Sequence, residues 1–190
     1  MPSQDPSRHS QTDVIFVGFA GRIGAGKTSA ARYLSTRYGF QYTRYSQVLR
    51  DWLASEAPER EGLQEFGWEV MAGGRQVELN ARLIAGLNRS QSAAIDGLRH
   101  HIDFHSLSYA FGASFRLVFL EAAAEARFER KRSRFSSYEA FLAADSHPVE
   151  AQIDSLKPLA AATIPTEESL ESLYRRLDGW VATCGMGNRT

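Results

Sequence analysis

The residues best placed to do chemistry stand close together. Gly21 is followed by four residues and then by Gly26, Lys27 and Thr28. In that spacing the glycines allow positive φ and let backbone N–H groups approach an anion closely. Lysine adds a reaching ammonium, and threonine a hydroxyl suited to a hard cation. The stretch therefore reads as a cradle for a nucleoside triphosphate, built from Gly21, Gly24, Ala25, Gly26, Lys27, Thr28 and Ser29. Lys27 would reach the β/γ oxygens and Thr28 would hold Mg²⁺. No guanine-selecting Asn/Thr-Lys-x-Asp motif is visible, so ATP is the expected donor.

A cradle of this kind needs a strand before it and a helix after it. The apolar, β-branched run at residues 14–18 predicts the strand, and residues 27–38 predict the helix, stopped by Gly39. That helix points its partly positive N-terminus at the same anion. Further strands are expected at 40–43, 92–96, 115–120 and, more weakly, 159–164. Helices are expected from an N-cap at Ser46 through Leu53, then at 63–71, 77–87, 100–111, 121–134, 138–144 and 149–156. A final helix, capped at Thr166-Glu-Glu-Ser-Leu, should end near Cys184. Residues 58–62 read as a break and Gly73-Gly74 as a turn. Alternating strands and helices predict an α/β fold of the P-loop NTPase type. It is a three-layer sandwich of about five parallel strands, with ligands at the strands' carboxyl ends.

The 190 residues, 43% of them hydrophobic, suit one domain at about 13–184 between a flexible tail at 1–12 and a frayed end at 185–190. Within it, a helical acceptor-binding insert is expected at about 46–90 and a basic lid at about 127–147. Lysine plus arginine equals aspartate plus glutamate at 22 each, which gives nucleic-acid or anionic-membrane binding no support from bulk charge. No apolar run is long enough to span a bilayer. The one cysteine, Cys184, points to a reducing, cytoplasmic setting, and oligomeric state stays open. His101 and His105 lack a third ligand at recognisable spacing, and the aromatics read as core or pocket walls.

Joined to Ser46-Gln-Val-Leu-Arg50, Asp96-Gly-Leu-Arg99 and the basic run Arg127-Phe-Glu-Arg130-Lys-Arg-Ser-Arg134, the phosphate loop resembles the nucleoside monophosphate kinases of the adenylate kinase type. It is closer still to the small dephospho-coenzyme A kinase-like group, with Asp103 as the acid four positions after the arginine. The resemblance implies ATP- and Mg²⁺-dependent phosphoryl transfer to a nucleotide-like small molecule. Arg50 and Arg99 would hold its phosphate, Asp96 would orient Mg²⁺ water or the acceptor, and Asp103 would support the acceptor side. The lid would set Arg127, Arg130 and Arg134 on the transferring group, since helical spacing puts those three on one face.

Plainer readings compete at each position. Arg50 can be a solvated helix arginine, Asp96 and Asp103 can cap a helix, and the basic run can pair with Glu121, Glu125 and Glu129. Dephospho-coenzyme A kinases carry Asp-x-Asp just after the second strand, where Arg44-Tyr45-Ser46 stands here. The base for a sugar hydroxyl is thereby lost, which favours an acceptor that is already a phosphate. The alternative is a nucleotide-binding regulatory or interaction module that keeps the fold with little acceptor chemistry.

Overall fold

A computed structural model describes residues 14–56, 62–146 and 152–185. The predicted tail at 1–12, most of the break at 58–62, the start of the helix expected at 149–156 and the chain end after Gly185 lie outside the described residues. The chain runs β1 (Phe16–Ala20), α1 (Lys27–Tyr38), β2 (Gln41–Arg44), α2 (Tyr45–Glu56), α3 (Leu63–Ala72), α4 (Gln76–Ala85), β3 (Ala93–Asp96) and α5 (His101–Phe111). It continues through β4 (Phe115–Glu121), α6 (Ala124–Glu129), α7 (Tyr138–Asp145), a 3₁₀ segment (Gln152–Leu159), β5 (Ala162–Pro165) and α8 (Leu170–Thr183). Among the described residues no helix is long and apolar enough to cross a membrane.

The five strands form one parallel sheet in the order β2-β3-β1-β4-β5. β1 lies at its centre, and each of its five residues is buried. Alternation along the strands divides the core between the two faces of the sheet. Phe16, Ile95, Leu117 and Phe119 pack with Trp52, Phe66, Leu83 and Leu107 on one side. Val17, Phe19, Ala94, Val118 and Ile164 pack with Ala30, Leu34, Leu173 and Leu177 on the other. The insert helices α2–α4 thus share the larger core. Their own centre is Trp52, which meets the Phe66 ring at 5.4 Å and lies under the guanidinium groups of Arg75 and Arg82 at 4.4 and 4.5 Å.

Three expectations change. The helix predicted for 121–134 is confined to Ala124–Glu129, because β4 holds Glu121 in the sheet opposite Pro165. Beyond Glu129 the chain turns on i→i−3 bonds, from the N–H of Lys131 to the Phe128 carbonyl and from that of Arg134 to Lys131, both 2.8 Å. Ser46 sits inside α2 and accepts a hydrogen bond from Arg44 Nε (2.7 Å) instead of capping the helix. Ser169, not Thr166, caps the last helix, accepting from Ser172 N. Thr166 is buried under the phosphate loop, where its hydroxyl donates to Ala25 O at 3.0 Å.

Candidate active site

Between β1 and α1 the chain must turn sharply and leave its N–H groups pointing into open space. Gly24 adopts φ 82°, and a Cβ there would lie 2.6 Å from the Arg127 carbonyl oxygen. Gly26, at φ 98°, takes the N-cap position of α1. No acidic residue stands in the first turn of α1, so the positive end of its dipole is not offset there. Lys27 Nζ folds back over the loop and donates to the carbonyls of Gly21 (2.5 Å) and Arg22 (3.1 Å).

In the first turn of α1, the Thr28 hydroxyl donates to Asp96 Oδ2 at 2.7 Å. β3 ends at Asp96, in register with Phe19 of β1 and Arg44 of β2. Its carboxylate, 6% exposed, also accepts from Tyr42 Oη at 3.3 Å. A threonine hydroxyl and a carboxylate side by side, next to the phosphate loop, form an oxygen donor set of the kind Mg²⁺ selects. The residues present therefore fit that ion, with Thr28 and Asp96 as its protein side.

These groups open into a cavity of about 570 Å³. The loop residues Ile23, Gly24 and Gly26 to Ser29 form one wall, and Arg44, Tyr45, Ser46, Asp96, Gly97 and Arg99 form the wall at the ends of β2 and β3. Arg130, Lys131 and Arg134 come from the turns after α6, while Thr166, Glu168, Ser169, Leu170 and Leu173 follow β5. Six cationic side chains, Lys27 among them, thus face two carboxylates, those of Asp96 and Glu168. Glu168 is engaged away from the strand ends: it accepts from the Ser172 hydroxyl and from Arg176 Nη2, the latter at 2.8 Å. Arg130 binds the loop itself, donating from Nη1 to Gly24 O (3.3 Å) and Thr166 Oγ1 (3.2 Å), and from Nη2 to Thr166 O.

Arg127 occupies a different place from the one its spacing suggested. It is 5% exposed, does not line the cavity, and grips Asp145 of α7 with both terminal nitrogens, at 2.5 and 2.8 Å. It also donates to the carbonyls of Ala122 (2.9 Å) and Ile23 (3.1 Å). Asp145 receives a second guanidinium, that of Arg22 in the phosphate loop, at 3.0 Å. Arg22 in turn reaches Asp154 at 2.7 Å, and these carboxylates hold its guanidinium above its ordinary pKa. Burial would raise the Asp145 carboxyl, yet the hydrogen bonds and charges of Arg127 and Arg22 prevail and keep it below the usual range.

Arg50 is exposed, donates to Gln47 Oε1 at 2.8 Å and does not line the cavity. Asp103 is buried behind the wall, not in it. Its Oδ2 accepts the backbone N–H groups of Arg99 and His100, each at 3.1 Å, and Oδ1 accepts from Asn80 Nδ2 at 2.9 Å. Asn80 accepts the buried Tyr45 hydroxyl at 2.5 Å, and burial together with the Asp103 charge raises the Tyr45 pKa. Asp103 thus fixes the backbone that presents Arg99. Sequence reasoning missed Arg44, Arg22, Asp145, Asn80 and the buried role of Thr166. Only Arg44 carried a usable signal, a cation at the carboxyl end of a strand beside the cavity.

No protein-family model and no curated protein sequence matches this chain. Solved structures do resemble it. An unliganded sugar kinase from Janibacter sp. aligns with a TM-score of 0.57 and 19% identity, over 90% of this chain and 95% of its own. Shikimate kinase from Acinetobacter baumannii, in complex with shikimate, aligns at 0.56 and 15%, over 90% and 95%. A gluconokinase from Sinorhizobium meliloti aligns at 0.61 and 12%, over 89% and 92%. With its parallel sheet in the order 2-3-1-4-5 and a phosphate loop after β1, the chain has the P-loop kinase fold.

Proposed function

We propose that this protein transfers the γ-phosphoryl group of ATP to a small, nucleotide-like acceptor whose attacking oxygen is already ionised. The Thr28–Asp96 contact at 2.7 Å carries the reading, because it joins the phosphate loop to the strand-end wall of the same cavity. The loop's N–H groups and Lys27 would hold the β- and γ-phosphates, once Lys27 exchanges its bonds to Gly21 and Arg22 for phosphate oxygens. Mg²⁺, held by Thr28 and Asp96, would neutralise charge on the β- and γ-oxygens. Lys131 and Arg134, with Arg130 released from Thr166, would supply positive charge over the transferring group.

Transfer joins an acceptor oxygen to the γ-phosphorus while the bond to the β–γ bridging oxygen breaks, and ADP departs. Little proton chemistry is needed when the acceptor oxygen carries a charge near neutral pH. Arg127 enters this reading as a strut behind the loop, and Asp103 as a support behind Arg99. The test is ADP release from ATP and Mg²⁺ against a panel of nucleoside monophosphates, nucleosides, gluconate and shikimate. One nucleotide-like acceptor should raise the rate, and Lys27→Ala should lower that rate at least about a thousandfold while the thermal transition stays in place. An unchanged rate in Lys27→Ala would remove the reading.

A further inference from the structure

Arg44 has no assigned role so far, yet it is the cation that β2 delivers to the cavity. Its Cα stands opposite Asp96 in the strand register, and its side chain lines the cavity together with Ser46 and Arg99. Its Nε donates to Ser46 Oγ at 2.7 Å, which fixes the guanidinium plane. Among the described residues its two terminal nitrogens donate to no side chain or carbonyl. A half-buried guanidinium, oriented from behind and open in front, is built for bidentate binding of an oxyanion. Arg50, by contrast, spends its hydrogen bonding on Gln47 outside the cavity wall.

Resting on the phosphotransferase reading above, we infer that Arg44 is the specificity-determining residue of the acceptor site and selects a phosphate dianion. The charge balance of the wall supports this. Asp96 already accepts from Thr28 and Tyr42, so it is committed to the loop side. Glu168 is tied to Ser172 and Arg176. No uncommitted carboxylate is left along the described cavity wall to take a proton from an acceptor hydroxyl. Two arginines at the strand ends, Arg44 held by Ser46 and Arg99 presented by Asp103, match two negative charges better than one. A neutral alcohol or a single carboxylate would leave that cationic wall under-neutralised and would find no base.

The test is calorimetric titration of the full chain, preloaded with Mg²⁺ and a non-hydrolysable ATP analogue. The titrants are the four ribonucleoside 5′-monophosphates, the corresponding nucleosides, gluconate and shikimate. Wild-type protein should bind at least one monophosphate and bind its nucleoside, gluconate and shikimate at least about tenfold more weakly. Arg44→Ala should weaken the monophosphate by about 10- to 100-fold, the worth of a charge-assisted contact. Arg44→Lys, which keeps the charge but not the fork, should fall in between, and neither variant should change the affinity for the ATP analogue. Monophosphate affinity untouched by Arg44→Ala would overturn the inference, as would preferential binding of a hydroxy acid or no binding of any monophosphate. Failure of the ATP analogue to bind wild-type protein would instead strike the phosphotransferase reading, and the inference with it.

Discussion

Replacing Asp145 with alanine would leave the guanidinium groups of Arg127 and Arg22 behind the phosphate loop without the carboxylate between them. The Arg127–Asp145 pair is closed to solvent, each side chain 6% exposed, so water cannot take over the lost contacts cheaply. Removing one partner of such a pair typically costs about 3–5 kcal/mol. Arg127 would keep its bonds to Ala122 O and Ile23 O, and Arg22 its bond to Asp154, which places the expected loss near the lower end, at about 3 kcal/mol. At about 2–4 °C per kcal/mol for a chain of this size, the thermal midpoint should fall by about 6–12 °C. Because Ile23 and Arg22 belong to the loop, affinity for ATP should fall as well. The conservative Asp145→Asn keeps the shape and should lie between wild type and alanine. The pH dependence adds a second test. The folded Asp145 carboxyl titrates below its unfolded value of about 3.9, so its stabilisation is complete above that pH and is lost as pH falls through the folded pKa. Wild-type protein should therefore lose stability more steeply below about pH 4 than Asp145→Asn does. Thermal unfolding followed by tryptophan fluorescence at several pH values reads both effects. A midpoint within 2 °C of wild type for Asp145→Ala, with parallel acid limbs, would refute the argument that this buried pair braces the loop.

Two other substitutions probe the cavity around the loop. Asp96→Asn removes the charge beside Thr28, and ADP release should then need at least about tenfold more Mg²⁺ for half-maximal rate; an unchanged Mg²⁺ titration would detach Asp96 from the metal. Gly24→Ala forces a methyl to within 2.6 Å of the Arg127 carbonyl oxygen at a φ of 82°, so nucleotide binding by calorimetry should drop below detection while the circular dichroism of the sheet persists. Retained ATP affinity in that variant would show that the loop does not need this backbone path.

What could be read in the sequence follows a physical boundary. The phosphate loop, α1 and the carboxyl end of β3 depend on local rules, glycine conformation, helix propensity and apolar runs, and those rules operate within about ten residues. Gly24, Gly26, Lys27, Thr28 and Asp96 accordingly stand in the structure where the spacing placed them, around one cavity. Arg22 is separated by more than 120 residues of chain from both Asp145 and Asp154, and nothing local marks them as its partners. Arg127 is the instructive case. Helical periodicity grouped it with Arg130 and Arg134, but α6 ends at Glu129, and the following turns send the later arginines toward the cavity while the first is drawn to Asp145.

That separation has a consequence for how the basic segment works. A single helix would move its three arginines as a rigid set. Here one arginine anchors the base of the segment to α7 and to the loop carbonyl of Ile23. Arg130 closes the last helical bond of α6, to Ala126 O, while Lys131 and Arg134 sit beyond it on backbone held by i→i−3 turn bonds, which cost less to rearrange than helix. Arg130 satisfies itself meanwhile with the Gly24 and Thr166 carbonyls. Those carbonyl bonds are neutral–charged contacts, which in the proposed reaction a charged triphosphate oxygen would outcompete. In the proposed reaction the buried pair would brace the loop, and rearrangement of the short turns would bring cations onto the transferring phosphate.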